Sequence, residues 1–350
     1  MNELLNNKLY LENLKEYCNY KLDWHKLAGK TIMISGATGL IGRYFIDLIM
    51  YKNIHENLNC NLIALGRNQA KANILFEKYL NSENFIFLTH DVKEPINYDK
   101  KVDYIIHAAS NTYPIQYATD PIGTLTTSIM GTYNLLNFSE KNNVSKFIYV
   151  SSFEVYGNVN KTEKINETNF GSIDCTILRS CYPEGKRASE SLCIAFSEQK
   201  NINTSIVRLS RVFGPTMNLE SSLATAQFIK KGLNKEDIIL KSDGTQLYSY
   251  NYVADAVTAV LVVLLNGNNK EAYNVSNDKF DAKLYEFANI VADYCHQKVV
   301  FDIPDEIEKK GFSNSEMTIL NSTKIENIGW YINKNLQTRI METINILKTK

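Results

Sequence analysis

From Lys30 onward, short runs of hydrophobic and often β-branched residues alternate with stretches of helical periodicity. These runs are almost continuously apolar and do not alternate with polar positions. Strands of this kind are buried on both faces, which is typical of a parallel sheet with helices above and below it. The predicted strands are Lys30–Ser35, Asn61–Leu65, Phe85–Leu88, Val102–His107, Lys146–Ser151 and Ser205–Leu209. The pattern predicts an α/β protein with a doubly wound parallel sheet.

A glycine-rich turn follows the first predicted strand and opens a helix. In a turn of this kind the first glycine permits a tight bend, the second lets backbone N–H groups approach a pyrophosphate, and the third allows the helix to pack on the strand. The helix N-terminus adds hydrogen-bond donors and the positive end of its dipole. The context predicts a Rossmann dinucleotide site formed by Gly36, Thr38, Gly39, Leu40, Ile41 and Gly42.

The end of the second predicted strand bears on the choice of cofactor. Its sequence is Leu65-Gly66-Arg67-Asn68, where NAD-binding proteins usually offer a carboxylate to the ribose hydroxyls. Because no carboxylate is present to repel a 2′-phosphate and Arg67 can pair with one, we expect NADP to be favoured over NAD. The alternative is that Arg67 is a solvated turn residue.

Two regions flank the alternating part of the chain. Leucines and tyrosines at helical spacing predict an N-terminal helical extension, to which we assign no chemistry. Near the C-terminus, amphipathic helices such as Asp255–Leu265 and Lys283–Tyr294 predict a second, smaller domain. The predicted division is 1–29 for the extension, 30–212 for the dinucleotide-binding Rossmann domain and 213–350 for a mainly substrate-binding domain, with part of 246–275 packing back on the Rossmann domain.

Composition narrows the range of partners. The chain has 38 lysines and arginines and 38 aspartates and glutamates, so no general field attracts nucleic acid or an anionic membrane. The six cysteines are scattered, without a C-x-x-C pair or a cysteine/histidine cluster, so we expect free thiols and no metal site. The N-terminal residues lack the apolar core of a signal peptide. We therefore expect a cytoplasmic protein in which any bound anion is held by a local site.

A candidate catalytic pair lies in Tyr182-Pro183-Glu184-Gly185-Lys186. On a helix, residues four apart share one face, and a lysine cation is expected to lower the pKa of a neighbouring phenol so that Tyr182 can exchange a proton with a hydroxyl. The fifth predicted strand ends in Ser151-Ser152-Phe153-Glu154. We expect Ser152 to donate a hydrogen bond to the substrate oxygen.

Together with several other segments, these motifs resemble the NAD-dependent epimerase/dehydratase family, the nucleotide-sugar branch of the extended short-chain dehydrogenases. The other matching segments are Ile106-His107-Ala108-Ala109, Gly131-Thr132-Tyr133-Asn134-Leu135-Leu136, Arg208-Leu209-Ser210-Arg211-Val212-Phe213-Gly214-Pro215, Tyr252-Val253-Ala254-Asp255 and Gly329-Trp330. Within the family, the stretch from Arg179 to Arg187 looks most like the UDP-glucuronate decarboxylases, and Glu154 also fits the 4,6-dehydratases.

The resemblance implies a reaction and a set of site residues. Ser152, Tyr182 and Lys186 would oxidise the C4 hydroxyl of a nucleotide sugar while hydride passes to NAD(P), and Glu154 would assist at C5. The 4-keto intermediate would then be dehydrated or decarboxylated. Further cofactor contacts are expected from Asp91, Val92, Ala108 and Ala109, and substrate contacts from Ser110, Arg211 and Tyr248. A homodimer is also expected from the resemblance.

The chain departs from the family pattern at four positions: Phe153, Arg211, Tyr248 and Ser128. The usual asparagine is replaced by Arg211, and the usual arginine by Tyr248. We expect Arg211 to have taken over the contact with the substrate diphosphate, with Tyr248 nearby. The alternative is that Arg211 pairs with an acidic side chain and another cation, such as Lys241, meets the phosphate.

Other functions remain open. If Glu154 is only a structural carboxylate, a 4-epimerase or a keto-sugar reductase fits better than a dehydratase or decarboxylase. A dinucleotide-sensing module without turnover is a further alternative, although a sensor has no need of Ser152, Tyr182 and Lys186. His107 is expected to have a packing role.

Overall fold

A central parallel sheet organises the protein, seen in a computed structural model that describes residues 3–112, 114–159, 163–302 and 317–348. The strands are β1 (Thr31–Ser35), β2 (Asn61–Gly66), β3 (Phe85–Thr89), β4 (Tyr104–His107), β5 (Lys146–Ser152), β6 (Thr204–Leu209), β7 (Arg211–Phe213), β8 (Ile238–Leu240), β9 (Leu247–Tyr252), β10 (Glu271–Val275), β11 (Asp281–Lys283), β12 (Val299–Phe301) and β13 (Met317–Thr318). Seven of them form the large sheet in the order β3-β2-β1-β4-β5-β6-β10, and every neighbouring pair is parallel. The predicted doubly wound fold is confirmed.

Helices cover both faces of this sheet. They are α1 (Lys8–Cys18), α2 (Leu40–Glu56), α3 (Gln69–Leu75), α4 (Pro114–Thr119), α5 (Pro121–Lys141), α6 (Cys181–Lys200), α7 (Ala224–Leu233), α8 (Val253–Asn266), α9 (Leu284–Cys295), α10 (Thr323–Glu326) and α11 (Leu336–Lys348). Short 3-10 helices occur at Glu3–Asn6, Trp24–Leu27, Phe153–Tyr156, Leu178–Ser180 and Asp278–Phe280. Helices α5 and α6 pack on one face, and α2 and α8 pack together on the other. None of the described helices is both long and apolar enough to span a bilayer.

The strand predictions hold with one correction and one addition. Phe85–Leu88 was expected to be buried on both faces, but β3 is an edge strand whose Ile86 is exposed, because only β2 pairs with it. The seventh strand, β10, was not predicted as a strand, although it lies in the segment expected to pack back on the Rossmann domain. A second, four-stranded sheet contains β7, β9, β11 and β13, and β8 pairs with β12. The division of the chain into domains stays a prediction.

The N-terminal extension is helical in two short pieces and α1, and it packs on the dinucleotide-binding half. The Tyr10 hydroxyl donates to Asp47 on α2 at 2.7 Å, and the Tyr17 hydroxyl donates to Asp255 on α8 at 2.5 Å. Arg339 on α11 is also paired with Glu16 of the extension. The leucine and tyrosine pattern of the extension therefore reflects packing that joins α2, α8 and α11.

Candidate active site

The glycine-rich turn between β1 and α2 has the geometry of a phosphate cradle. Gly36 has a φ of +73°, and a Cβ placed there would lie 2.7 Å from the Ala108 carbonyl oxygen. A Cβ on Gly42 would lie 2.4 Å from the Gly36 oxygen, so neither position accepts a side chain. Gly39 precedes α2 without any side-chain cap on the helix N-terminus. The uncapped N–H groups and the closely approached turn fit a dinucleotide pyrophosphate.

The remaining expected cofactor residues lie at the carboxyl ends of neighbouring strands, along the same sheet edge. Ala108 and Ala109 follow β4, and the Ala109 N–H donates to Ser35 Oγ at 3.2 Å. Beyond β3, Asp91 accepts from the Lys93 N–H at 3.0 Å and Val92 is buried against Gly131. Parallel strands bind ligands at this edge. The structure therefore brings Ala108 and Ala109 against the glycine turn and places Asp91 and Val92 along the same sheet edge.

Two other expected binding residues have polar groups without partners among the described residues. Arg67 follows β2, is exposed, and makes no hydrogen bond or ion pair with any described residue. The Ser110 hydroxyl is buried, also without a partner in the described part of the chain. Both groups are available to a ligand.

Ser152, Tyr182 and Lys186 come together where β5 meets the first turns of α6. The Ser152 hydroxyl lies beside the Tyr182 phenol, and Lys186 Nζ lies 5.9 Å from the Tyr182 ring centre. Lys186 Nζ also donates to the Val150 carbonyl at 2.8 Å. All three side chains are buried, so this set of a hydroxyl, a phenol and a cation is held rigidly at the end of the sheet.

The expectation that Lys186 lowers the pKa of Tyr182 is wrong for this structure. Burial, and then the negative charge of Glu154, raise the pKa of Tyr182, while Ser152 and Arg179 lower it only in part. Lys186 is held by Val150 rather than by the phenol. Burial also lowers the pKa of Lys186 to about 8, against a smaller raising contribution from Glu190. A protonated Tyr182 is therefore the stable form in this arrangement.

Glu154 is held by an arginine to which the sequence analysis gave no role. Arg179 donates through both guanidinium ends to the two carboxylate oxygens of Glu154, at 2.8 and 3.1 Å. Burial lowers the pKa of Arg179, but the charge and hydrogen bonds of Glu154, with smaller contributions from Tyr117 and Tyr182, together raise the net pKa. Tyr117 stacks on Tyr182 with ring centres 4.9 Å apart. Arg179 lies three residues before Tyr182, close to one helical turn, and this spacing was the available signal for it.

A buried ion pair links β6 to α6 next to β5, the strand that ends in Ser152. Arg208 on β6 donates to both oxygens of Glu190 on α6, at 2.7 and 3.0 Å, and to the Tyr156 hydroxyl at 2.9 Å. The Ser151 hydroxyl donates to the same Glu190 at 2.5 Å. The network joins β5, β6 and α6, whose ends present the Ser152 and Lys186 side chains.

Three of the four departures from the family pattern form one cluster. The guanidinium carbon of Arg211 lies 3.5 Å from the ring centre of Tyr248 and 4.5 Å from that of Phe153. Ser128 lies elsewhere, buried against Gly185 of α6. The alternative that Arg211 pairs with an acidic side chain finds no such pair among the described residues.

His107 fits its expected packing role. It is fully buried at the end of β4, and its Nδ1 hydrogen bonds with Ser35 Oγ at 2.7 Å. Burial, together with the Lys186 charge, lowers the pKa of His107 to about 3, so the ring is neutral. It shares Ser35 with Ala109 and so fixes the turn after β4.

Comparisons with known proteins find curated relatives that are UDP-glucuronic acid decarboxylases. It is 31% identical over 262 residues to UDP-glucuronic acid decarboxylase 1 of Xenopus tropicalis, covering 75% of this chain and 59% of that protein. It is 30% identical over 279 residues to UDP-glucuronic acid decarboxylase 3 of Arabidopsis thaliana, covering 79% and 78% of the two chains. The match thus spans about three fifths of the Xenopus relative.

Solved structures share the fold at low sequence identity. UDP-glucose 4-epimerase of Thermotoga maritima superposes with a TM-score of 0.76 at 22% identity, covering 91% of this chain and 98% of that one. dTDP-glucose 4,6-dehydratase of Bacillus anthracis, solved in complex with NAD, gives 0.76 at 18% identity, covering 91% and 96%. The model of the NAD dependent epimerase/dehydratase family matches residues 32–276, which include the glycine turn and the Ser152, Tyr182 and Lys186 set. The chain belongs to the NAD dependent epimerase/dehydratase family.

Proposed function

We propose that this protein oxidises the C4 hydroxyl of a nucleotide-linked sugar with a bound nicotinamide dinucleotide and then dehydrates or decarboxylates the 4-keto intermediate. The observation that carries the proposal is the convergence of Ser152, Tyr182 and Lys186 at the sheet edge that also holds the Gly36–Gly42 turn. The similarity to UDP-glucuronic acid decarboxylases supports a nucleotide-sugar substrate. A dinucleotide sensor would not need these three side chains.

The chain's own residues divide the proton chemistry. A nicotinamide dinucleotide, held by the Gly36–Gly42 turn, would supply the acceptor and later the donor of the C4 hydride. Tyr182 is protonated in its stable form and must first lose its phenolic proton. It then takes the C4 hydroxyl proton, and Ser152 donates a hydrogen bond to the same oxygen. Lys186 supplies a nearby positive charge. The resulting ketone acidifies C5, where Glu154 assists proton removal or transfer.

The pairing of Glu154 also favours a second candidate. Because Arg179 holds both oxygens of Glu154, this carboxylate can be a structural element that fixes the turn after β5. The protein would then be a nucleotide-sugar 4-epimerase or a keto-sugar reductase.

We also propose NADP rather than NAD as the cofactor, because Arg67 is exposed beside the glycine turn without a partner in the described part of the chain, and no carboxylate follows β2. A homodimer is supported by the exposed apolar side chains of Ile122, Met130 and Tyr133 along one face of α5. A cytoplasmic location stays a prediction; the six cysteines are free, as expected.

The test is to incubate the protein with nucleotide sugars and either NAD or NADP and to measure product mass. Loss of carbon dioxide identifies a decarboxylase and loss of water a dehydratase. An unchanged mass with inverted C4 identifies the 4-epimerase, and a gain of two hydrogens from reduced cofactor and a keto-sugar identifies the reductase. No product from any sugar contradicts the proposed function.

A further inference from the structure

The position of Arg211 is set by the register of two strands. It begins β7, which runs parallel to β9 with Arg211 opposite Tyr250. Tyr248 precedes Tyr250 by two residues and therefore presents its side chain on the same face of the strand. This register brings the Tyr248 ring to 3.5 Å from the guanidinium carbon. Phe153, from the turn after β5, contributes the second ring at 4.5 Å.

The guanidinium of Arg211 has no anionic partner in the described part of the chain. Two other arginines near the candidate site differ, since Arg208 pairs with Glu190 and Arg179 with Glu154. Burial lowers the pKa of Arg211, with Tyr248, Tyr250 and Glu154 opposing this effect. Aromatic contacts repay only part of such desolvation. The site thus holds a positive charge that a ligand can neutralise.

Two hydroxyls, one opposite Arg211 in the strand register and one on the preceding residue, also lack partners among the described residues. The Tyr250 hydroxyl, opposite Arg211 in the register, is buried and has no hydrogen bond to any described residue. The same holds for the hydroxyl of Ser210, the preceding residue. Phe153, on the other side of Arg211, lies between Ser152 and Glu154 in the sequence. The unpaired cation therefore lies next to the proposed reaction centre.

We propose that Arg211 is the anion-recognition residue of this substrate site, and that its N–H edge binds paired anionic oxygens of the nucleotide sugar. Rings packed against a planar guanidinium leave its edge for ligands, and this edge matches the oxygens of a carboxylate or a phosphate. The oxygens belong either to the diphosphate or to a carboxylate on the sugar. Because Arg179 already neutralises Glu154, the charge of Arg211 is left for the substrate. The inference rests on the proposed function in assuming that a nucleotide sugar binds beside Arg211.

Calorimetric titration of the cofactor-loaded protein tests the proposal with three probes: UDP, UDP-glucose and UDP-glucuronic acid. The variants are Arg211→Gln, Phe153→Leu, which removes one ring, and the matched control Lys241→Gln, which removes one exposed positive charge. We expect Arg211→Gln to weaken binding by about 10-fold or more, since a charge-assisted hydrogen bond is lost. Phe153→Leu should lose less, and Lys241→Gln should bind as the wild type does. Cofactor affinity should stay unchanged in all three.

The probes separate the two sources of the anion. Equal losses with all three probes assign Arg211 to the diphosphate, and a loss confined to UDP-glucuronic acid assigns it to the sugar carboxylate. The proposal is overturned if Arg211→Gln binds every probe as tightly as the wild type does. It is also overturned if Lys241→Gln loses affinity instead, or if the wild type binds none of the probes. The proposed function fails separately, when the probes bind in the expected pattern but no nucleotide sugar is converted.

Discussion

Replacing Lys186 with methionine should abolish most activity and yet stabilise the fold. The side chain is 3% exposed, and burial lowers its pKa from 10.5 to about 8. At about 1.36 kcal/mol per pH unit, keeping this lysine protonated at pH 7 destabilises the folded state by about 3 kcal/mol. The variant also loses the hydrogen bond to the Val150 carbonyl, which lowers its free energy of unfolding by about 1 kcal/mol. We therefore expect Lys186→Met to be more stable by about 2 kcal/mol at pH 7, with turnover reduced by ~10²–10⁴-fold.

The sign of the pH dependence makes this prediction specific. Between pH 8 and 10.5 the unfolded chain keeps the lysine proton that the folded chain has lost, so wild-type stability rises with pH across this window. The methionine variant lacks that rise, and its advantage should nearly vanish by about pH 9.5. Urea unfolding of the wild type, Lys186→Met and the control Tyr182→Phe at pH 7 and 9.5 measures the difference. The reasoning is refuted if Lys186→Met is less stable than the wild type at pH 7 and the difference in stability is the same at pH 9.5. Normal turnover in Lys186→Met also refutes it.

Three further predictions concern the same site. Tyr182→Phe should slow turnover by ~10²–10⁴-fold in a folded protein, and Ser152→Ala somewhat less because water can replace one hydroxyl donor, as steady-state kinetics would show. Arg67→Ala should lose roughly 10–150-fold in NADP affinity and little in NAD affinity; a wild type that prefers NAD in the same titration contradicts the NADP proposal. Glu154→Gln removes a charge that raises the pKa of Tyr182, so the acidic limb of the kcat/KM profile should move to lower pH, and an unmoved limb would argue that Tyr182 is not the base.

The large sheet could be predicted because its strands are marked by local composition. Continuously apolar runs identified six of its seven strands, and the strand–glycine turn–helix order located the phosphate cradle. β10 was missed as a strand because its sequence, Glu271-Ala272-Tyr273-Asn274-Val275, is only partly apolar and its place beside β6 depends on a contact distant in sequence. The exposure of Ile86 depends in the same way on which strand ends the sheet.

The sequence identified the residues of the site but not which of their side chains contact each other. Motif spacing selected Ser152, Tyr182 and Lys186, but it could not show that Lys186 donates to a backbone carbonyl while burial raises the pKa of the phenol. The departures at Phe153, Arg211 and Tyr248 were visible one by one. Their contact arises only when β7 pairs with β9 and the turn after β5 folds against them, which no local pattern encodes.

The central claim is that Tyr182 and its neighbours oxidise a sugar hydroxyl at the expense of the nicotinamide. The most direct test is rapid mixing of the enzyme, loaded with oxidised cofactor, with the nucleotide sugar that it converts. The absorbance of reduced nicotinamide is then followed over time. We expect a transient rise in reduced cofactor in the wild type and a rise slowed by at least ~10²-fold in Tyr182→Phe. If the wild type forms product and Tyr182→Phe reduces the cofactor as fast as the wild type does, the account is contradicted.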